Sequence, residues 1–196
     1  MAARRIGLFG GSFNPPHVAH LAVAEAAREQ AGLDRVIWMP AAVSPFKSDE
    51  AVPEGRHRLA MARLATADHD AFEVSDHEIR RGGVSYTVDT VRALSEQYPA
   101  ASLHLVIGGD SLAGFPRWRQ PGEILQRARL VVYRRPGDGV DDADLPRDVL
   151  DRTTFVEAPQ IELSSTEVRH MLAAGRSARY LVPDPVRTYI AEHGLY

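Results

Sequence analysis

The chain has 196 residues and a net charge of −3, with 44% hydrophobic residues, 25% charged residues and no cysteine. These values are typical of one globular domain with a buried core, and they exclude disulfide scaffolds, thiolate zinc sites and cysteine nucleophiles. The mildly acidic balance gives no general basic field for nucleic acid or for a membrane surface, and we expect neither as a partner. No apolar run approaches the ~18 residues of a membrane span or forms a signal-peptide core, so we expect a cytoplasmic protein.

Short apolar runs alternate with longer amphipathic runs along the chain, which is the pattern of β-α-β units around a parallel sheet. The predicted strands are Arg5–Phe9, Val36–Met39, Phe72–Val74, Leu103–Ile107, Leu130–Tyr133 and Phe155–Glu157. The predicted helices are His17–Gln30, Arg56–Ala67, Val88–Tyr98, Gly122–Ala128, Ser165–Ala174 and Pro185–Glu192. The stretch Pro136–Leu150, rich in Gly and Asp, is predicted to be a surface excursion. The sequence therefore predicts an α/β fold with a doubly wound, mostly parallel sheet.

The segment after the first predicted strand has the composition of an anion-binding loop. Gly10 and Gly11 allow a ligand to approach the backbone, and His17 and His20 lie on one face of the next predicted helix. A helix N-terminus attracts anions and imidazole N–H groups add hydrogen bonds, so this loop suits a polyphosphate. It lacks the glycine patterns of dinucleotide dehydrogenases and of P-loop enzymes. The alternatives are a glycine-rich turn with incidental histidines and a zinc pair, for which no third ligand is evident.

Hydroxyl and basic side chains suited to phosphate follow in three other segments. Ser165 and Thr166 open a predicted helix, so their hydroxyls and backbone amides can bind phosphates, and Arg169 lies one turn further on. Lys47, the only lysine of the chain, follows the second predicted strand, and Arg135 follows the fifth. The alternative is an ordinary capped helix with solvated basic side chains.

Two further segments could hold the rest of a nucleotide and a second substrate. Gly108 and Asp110 follow the fourth predicted strand, where a small residue lets a ribose or base lie against the backbone and a carboxylate can accept from ribose hydroxyls. Asp110 could also serve as a helix cap. Trp118 offers a flat face on which a cationic ring can stack, although it could equally be a core aromatic residue.

These segments resemble, in chain order, the motifs of one enzyme family. The stretch from Gly10 to His20 resembles the signature loop of the nucleotidyltransferase superfamily, in which a glycine precedes the second histidine; Ala19 stands at that position here. The later segments resemble the motifs of bacterial nicotinate-nucleotide adenylyltransferases. They are Ser44-Pro45-Phe46-Lys47, Ser85-Tyr86-Thr87, Ile107-Gly108-Gly109-Asp110-Ser111, Phe115-Pro116-Arg117-Trp118, Arg134-Arg135-Pro136, the run from Leu163 to Arg169, and the ending Leu195-Tyr196.

The resemblance implies a Rossmann-like nucleotidyltransferase fold, one domain over residues 1–196, with a small C-terminal helical part. It implies a step of NAD biosynthesis: transfer of the adenylyl group of ATP to nicotinate mononucleotide, giving deamido-NAD and pyrophosphate. His17 and His20 would be catalytic, with His20 at the α-phosphate. The residues implied for ATP are Gly10, Gly11, Ser12, Phe13, Lys47, Gly108, Asp110, Arg135, Ser165, Thr166 and Arg169. Those implied for the nicotinate nucleotide are Thr87, Trp118 and, through its backbone N–H, Arg119.

The resemblance also implies Mg²⁺, bound through the ATP phosphates, since the sequence contains no legible set of protein ligands for a metal. We expect Ala19 to be tolerated, because Ala favours a helix over Gly by roughly 0.8–1 kcal/mol, although its methyl group could crowd the nucleotide. The alternative functions are adenylyl transfer to nicotinamide mononucleotide or phosphopantetheine, a non-catalytic nucleotide sensor, and a dinucleotide-dependent oxidoreductase. The sequence predicts no particular oligomeric state.

Overall fold

The computed structural model describes residues 4–45, 52–134 and 145–196. In these residues the chain forms one six-stranded sheet in the order β3-β2-β1-β4-β5-β6. Every neighbouring pair of strands in it is parallel, which confirms the predicted sheet. The strands are β1 Arg5–Gly11, β2 Arg35–Pro40, β3 Phe72–Val74, β4 Ser102–Gly108, β5 Ala128–Arg134 and β6 Thr153–Glu157.

The six predicted helices are present with bounds shifted by one residue at one or both ends, and three short helices join them. The helices are α1 Val18–Gln30, α2 Gly55–Thr66, α3 His77–Arg81, α4 Thr87–Gln97, α5 Gly109–Gly114, α6 Pro121–Arg127, α7 Arg147–Leu150, α8 Ser165–Ala173 and α9 Asp184–Glu192. A 3-10 turn, Phe115–Arg117, follows α5. None of the helices in the described ranges is long and apolar enough to span a bilayer.

The predicted surface excursion Pro136–Leu150 requires a correction at its C-terminal end. Arg147–Leu150 forms α7 rather than irregular structure. Pro146 precedes its first turn, and Val149 is 4% exposed and packs in the core, so a buried anchor holds this turn in place. Residues 136–144 of the stretch lie outside the described residues.

The two faces of the sheet pack against different helices, as a doubly wound sheet requires. In β2, Ile37 and Met39 belong to the apolar layer that contains the buried residues of α4 and α6. Their neighbours Val36 and Trp38 belong to the opposite layer, with the buried residues of α1. This alternation follows from the two-residue period of a strand, and it explains why the strands are apolar on both faces.

A third apolar cluster forms the C-terminal helical part. Met61 and Ala65 of α2 pack there with Val168 of α8 and with Val186 and Ile190 of α9. The C-terminal helices therefore lie against α2, which follows the second strand, and this confirms the small helical part that the sequence predicts.

The position of β1 determines where a ligand can bind. Its neighbours are β2 on one side and β4 on the other, so the order of the strands reverses there. In open α/β sheets the crevice at such a reversal, outside the carboxyl ends of the strands, is where ligands bind. The loop after β1 and the connection after β4 both begin at this crevice, and both carry predicted site residues.

One buried histidine makes the stability of the fold depend on pH. His104 of β4 is 2% exposed; its Nδ1 lies 3.0 Å from the carbonyl oxygen of Ser102 and its Nε2 lies 3.4 Å from the guanidinium of Arg5. Burial, together with the positive charges of Arg5 and Arg129, lowers the pKa of His104. The unfolded chain thus takes up a proton at a higher pH than the folded chain does. Because of this difference, the free energy of unfolding falls as the pH decreases below about 6.5.

We expect the substitution His104→Gln to reduce the pH dependence of stability between about pH 7.5 and about pH 5.5, because it removes the group that only the unfolded chain protonates in that range. Urea unfolding at the two pH values measures the difference directly. His170→Gln, a change of an exposed histidine on α8, is the control and should keep the wild-type difference. An equal pH dependence in wild type and His104→Gln would contradict the assignment.

Candidate active site

A cavity of about 370 Å³ lies at the carboxyl ends of β1, β4 and β5. Its lining residues are Phe9, His17, Ala19, His20, Val23, Asp110, Tyr133, Leu163, Ser164, Ser165 and Thr166. We call it the histidine cavity. It brings together the loop after β1, the first turn of α5 and the N-terminus of α8, which are three of the segments predicted to bind the nucleotide.

The two histidines of the cavity form a close pair. Their ring centroids are 3.8 Å apart with an angle of 36° between the planes, and His17 is 4% exposed. The backbone N–H of His17 donates to Nδ1 of His20 at 3.3 Å. Because Nδ1 accepts this bond, a neutral His20 ring carries its proton on Nε2, from which it can donate to an anion.

The local fold around α1 fixes the position of this pair. His17 is the N-cap of α1, and the next backbone N–H, that of Val18, donates to the carbonyl oxygen of Leu181 at 2.9 Å. Phe13 is buried with its ring centroid 4.9 Å from that of Trp38 and 5.3 Å from that of His20. The Phe13 side chain therefore belongs to the core and supports His20, and a contact of Phe13 with ATP would involve its backbone.

The N-terminus of α8 is bound to the loop after β1. Ser164 caps the helix by accepting from the N–H of Glu167, and the Glu167 carboxylate accepts from the N–H of Ser164 at 2.7 Å. The Ser164 hydroxyl donates to the same carboxylate at 2.8 Å, and this bond, together with the backbone one, lowers the pKa of Glu167. Ser165 Oγ donates to the carbonyl oxygen of Pro15 at 2.9 Å, so its backbone N–H, in the first turn of α8, is the group suited to an anion.

Arg169 also has a structural role that the sequence did not indicate. Its Nη1 donates to the carbonyl oxygen of Asn14 at 3.1 Å, and its Nη2 donates to Oγ1 of Thr166 at 3.3 Å. The guanidinium thus lies between the loop after β1 and the first turn of α8. It adds positive charge behind the histidine cavity.

The connection after β4 explains why a glycine stands at position 108. A Cβ on Gly108 would lie 2.6 Å from Oδ1 of Asp110 and 3.1 Å from the ring of Tyr133. Gly108 is also the N-cap residue of α5, so Asp110 lies in the first helical turn and the interpretation of Asp110 as the cap is wrong. The exposed Asp110 carboxylate lines the histidine cavity.

A second cavity, of about 350 Å³, contains the residues predicted to bind the nicotinate nucleotide. Its lining residues are Pro45, Tyr86, Thr87, Arg117, Trp118, Arg119 and Ile124, and we call it the tryptophan pocket. Trp118 is half-buried with its ring centroid 5.4 Å from that of Phe115, and Cζ of Arg119 lies 4.6 Å from the centroid of the Tyr86 ring. The described lining has two guanidinium groups and no carboxylate, which suits a planar ring bearing a negative charge.

The remaining predicted residues lie in or beside these two cavities or outside the described part of the chain. Gly10 and Gly11 end β1, and a Cβ on Gly11 would lie 3.1 Å from the ring of Phe13. Ser12 is in the lining of neither the histidine cavity nor the tryptophan pocket, and its carbonyl oxygen accepts a hydrogen bond. Lys47 and Arg135 lie outside the described residues, so their contacts stay predictions.

Two residues, Tyr196 and Arg58, support the site in ways that the sequence motifs did not indicate. The Tyr196 hydroxyl donates to the side-chain oxygen of Asn14, and burial raises the pKa of Tyr196, so the phenol stays protonated as this bond requires. Arg58 of α2 donates to the carbonyl oxygen of Ser12 at 3.0 Å. The sequence does contain an indication that Arg58 is buried, because it shares a helical face with the buried Met61. A charge on such an apolar face needs a hydrogen-bond partner.

The structure also bears on metal binding. Among residues 4–45, 52–134 and 145–196, no three His, Asp or Glu side chains are arranged to hold a metal ion.

Comparison with known proteins identifies the family. The cytidylyltransferase-like family matches residues 8–171. A protein of Salinibacter ruber named "probable nicotinate-nucleotide adenylyltransferase" is 50% identical over 191 residues, which are 97% of each chain. A protein of Roseiflexus with the same name is 45% identical over 199 residues and is covered completely, as is this chain.

A solved structure has the same fold. Nicotinic acid mononucleotide adenylyltransferase of Plasmodium falciparum, solved in complex with NaAD, superposes with a TM-score of 0.80 at 17% identity and covers 98% of this chain and 97% of its own. At that identity the likeness concerns the fold alone. The sequence matches, at 40–50% identity over nearly all of both chains, go further, and they show that this chain belongs to the nicotinate-nucleotide adenylyltransferase family.

Proposed function

We propose that this protein transfers the adenylyl group of ATP to nicotinate mononucleotide and releases deamido-NAD and pyrophosphate. The observation that carries the proposal is the pairing of two imidazoles, 3.8 Å apart, with the N-terminus of a second helix in one cavity. The names of the family members support the choice of reaction, and the Plasmodium falciparum protein of the same fold was solved with the dinucleotide NaAD bound.

The reaction needs positioning and charge stabilisation rather than a covalent intermediate. A phosphate oxygen of the mononucleotide attacks the α-phosphorus of ATP, and the bond from that phosphorus to the oxygen of the β-phosphate breaks as the new P–O bond forms. The electron pair of the broken bond leaves with pyrophosphate. Negative charge builds on the α-phosphoryl oxygens and on the leaving group, so hydrogen-bond donors aimed at these atoms accelerate the step.

The histidines would supply the donors at the reacting phosphorus. Nδ1 of His20 is engaged by the backbone N–H of His17 at 3.3 Å, and this contact orients Nε2–H of His20 as the donor to the α-phosphate. His17, at the N-cap of α1, would donate to the neighbouring phosphate. Neither ring has to form a bond to phosphorus.

The other ATP contacts follow from the position of each segment around the histidine cavity. The N–H groups at the start of α8, with Ser165, Thr166 and Arg169, would stabilise the departing pyrophosphate. Asp110 would accept from the ribose hydroxyls, and Gly108 would let the nucleoside lie against the backbone. The further ATP ligands that we propose are Gly10, Gly11, the backbone of Ser12 and Phe13, Lys47 and Arg135.

The mononucleotide would occupy the tryptophan pocket. The pyridinium ring would stack on Trp118, where cation–π attraction adds to apolar contact. Thr87 and the backbone N–H of Arg119 would bind the nicotinate carboxylate. The Arg119 guanidinium, 4.6 Å from the Tyr86 ring centroid, keeps positive charge beside this anionic substrate. The short helices between Asp110 and Trp118 join the two cavities.

Mg²⁺ bound to the ATP phosphates would neutralise part of their charge and leave the protein to orient them. Since both substrates are metabolites of the cytoplasm, we propose that the protein works there. We also propose that the sheet and its helices act as one domain, because the site draws on residues from both ends of the chain.

The test is to incubate the protein with Mg-ATP and, in parallel, nicotinate mononucleotide, nicotinamide mononucleotide or phosphopantetheine, and to separate the products by chromatography. We expect deamido-NAD as the dominant product. Turnover with another acceptor alone would keep adenylyl transfer but reject the assignment of the tryptophan pocket. Binding of nucleotide without any product would favour a sensor.

We expect His20→Asn to lower kcat for deamido-NAD formation by about 10²- to 10³-fold, the cost of removing one donor to a developing oxyanion. Rates of dinucleotide formation at saturating substrates measure the loss. The control is His170→Gln, because this exposed histidine on α8 faces neither cavity and should keep wild-type turnover. A loss in His20→Asn of less than about threefold would reject His20 as the donor.

We expect Thr87→Ala to lower kcat/KM for nicotinate mononucleotide by about 10- to 100-fold, because a hydrogen bond to a charged group contributes about 1.5–3 kcal/mol. The loss with nicotinamide mononucleotide should be much smaller. Thr188→Ala, an exposed change on α9, is the matched control. Equal losses with the two mononucleotides would argue against recognition of the carboxylate by Thr87.

A further inference from the structure

Arg58 is a buried arginine whose guanidinium is surrounded by backbone carbonyl groups. It is 3% exposed and lies on the inner face of α2. Its Nη1 donates to Ser12 at 3.0 Å, its Nη2 to Ala42 at 3.1 Å and its Nε to Pro53 at 3.2 Å, in each case to the carbonyl oxygen. Three separate parts of the chain thus meet at one planar side chain.

Burial lowers the pKa of Arg58, yet an arginine stays protonated in a protein because its ordinary pKa is so high. A buried charge is costly unless its hydrogen bonds are satisfied. In the described residues the Arg58 charge meets carbonyl dipoles and no carboxylate within ion-pair distance. An apolar residue here would avoid the cost of burying a charge but would leave the three carbonyl oxygens without their donor, so the guanidinium serves to hold three parts of the chain together.

The contacts continue from Arg58 to the tryptophan pocket. The N–H of Ala42, whose carbonyl oxygen Arg58 binds, donates to Oγ of Ser85 at 3.0 Å. The N–H of Ser85 donates in turn to the carbonyl oxygen of Val43 at 2.9 Å. Ser85 is buried and lies two residues before Thr87, the first residue of α4.

The same contacts reach the loop after β1 at the other end. Ser12, bound by Arg58, follows the two glycines at the end of β1. The N–H of Ala41 donates to the carbonyl oxygen of Gly11 at 2.9 Å. The segment 41–43 therefore lies between the loop that leads to His17 and the loop that leads to Thr87, and hydrogen bonds hold it to both.

We propose that Arg58 is a positioning residue for adenylyl transfer: through the segment 41–43 and Ser85 it fixes the loop beneath the ATP phosphates relative to the loop that binds the acceptor. The inference rests on the proposed function. Arg58 lines neither cavity, so it acts on the reaction through the groups it holds.

The physical reason is the sensitivity of an in-line displacement to distance. Two anionic substrates must be held with the attacking oxygen about 3–3.5 Å from phosphorus, and a displacement of about 1 Å can cost 10²-fold in rate. The planar guanidinium spreads its donors over three nitrogens of one rigid group, whereas the three N–H groups of a lysine share a single nitrogen on a flexible stem and cannot span the same three carbonyl oxygens. Loss of the fork should therefore change alignment more than affinity.

The test compares Arg58→Lys and Arg58→Met with wild type. We expect kcat for deamido-NAD formation, per folded molecule, to fall by about 10- to 100-fold, while the Kd for ATP measured by calorimetry changes by less than about threefold. Arg63→Met is the matched control, since Arg63 is an exposed arginine on the same helix, and it should leave kcat and Kd unchanged.

Ser85→Ala tests the contact between the segment 41–43 and the loop that leads to Thr87. It tests the proposal independently if the Arg58 variants fail to fold. We expect it to lower kcat without weakening ATP binding, and the double variant Arg58→Lys with Ser85→Ala should lose less than the product of the two single losses. Ser95→Ala, which changes a hydroxyl bonded within α4 to Val91, is its control.

Other results would overturn the inference. A kcat per folded molecule that stays at the wild-type value, with only a lower melting temperature, would make Arg58 purely structural. A weakened Kd for ATP that accounts for the whole loss would make it a determinant of nucleotide binding, and fully multiplicative losses in the double variant would separate Arg58 from Ser85. Wild-type protein that makes no dinucleotide from any mononucleotide would instead reject the proposed function, and the inference with it.

Discussion

The site depends on one kind of interaction: side chains from distant helices bind the carbonyl groups of the loop after β1. Arg58 of α2 binds the carbonyl oxygen of Ser12, Arg169 of α8 binds that of Asn14, and Ser165 binds that of Pro15. A buried carbonyl group needs such a partner, and a loop without regular structure cannot provide it from its own backbone. Once these oxygens are bound on one side, the loop has a single conformation and presents the histidine pair to the cavity on the other.

This requirement gives the C-terminal helices a direct part in the site. They pack on α2 through the cluster that contains Met61, Val168 and Ile190, and this packing brings Arg169 and Ser165 to the loop. The arrangement couples stability to function, because loosening the cluster would release the carbonyl groups and, with them, the position of His20. A parallel sheet can place a loop at the point where the order of its strands reverses. The conformation of that loop is determined by packing against helices outside the sheet.

The sequence predicted the sheet well and the supports of the site poorly, for a physical reason. Strands buried on both faces and helices with one apolar face show patterns that repeat every few residues, so they can be recognised from short stretches of sequence. The reversal of strand order at β1 was seen only in the structure. The bond from Ser165 to Pro15 joins residues 150 positions apart and leaves no local pattern. Arg169 was predicted as a phosphate ligand from its place in a motif, whereas its bond to Asn14 became visible only in the folded chain. The position of Arg58 on an apolar helical face indicated that its charge must have a buried partner. That position alone did not predict which groups Arg58 binds.

The two tryptophans of the chain lie in contrasting environments, and this gives the protein its own optical probe. Trp38 is fully buried beneath Phe9 and Phe13, where no ligand can reach it. Trp118 lies half-buried in the wall of the tryptophan pocket. Trp38 does not line the tryptophan pocket, so an electron-poor ring stacked on Trp118 should quench the fluorescence of Trp118 more than that of Trp38. If the acceptor binds in the tryptophan pocket as proposed, its binding can therefore be followed in real time and separately from turnover, without a dye or a label.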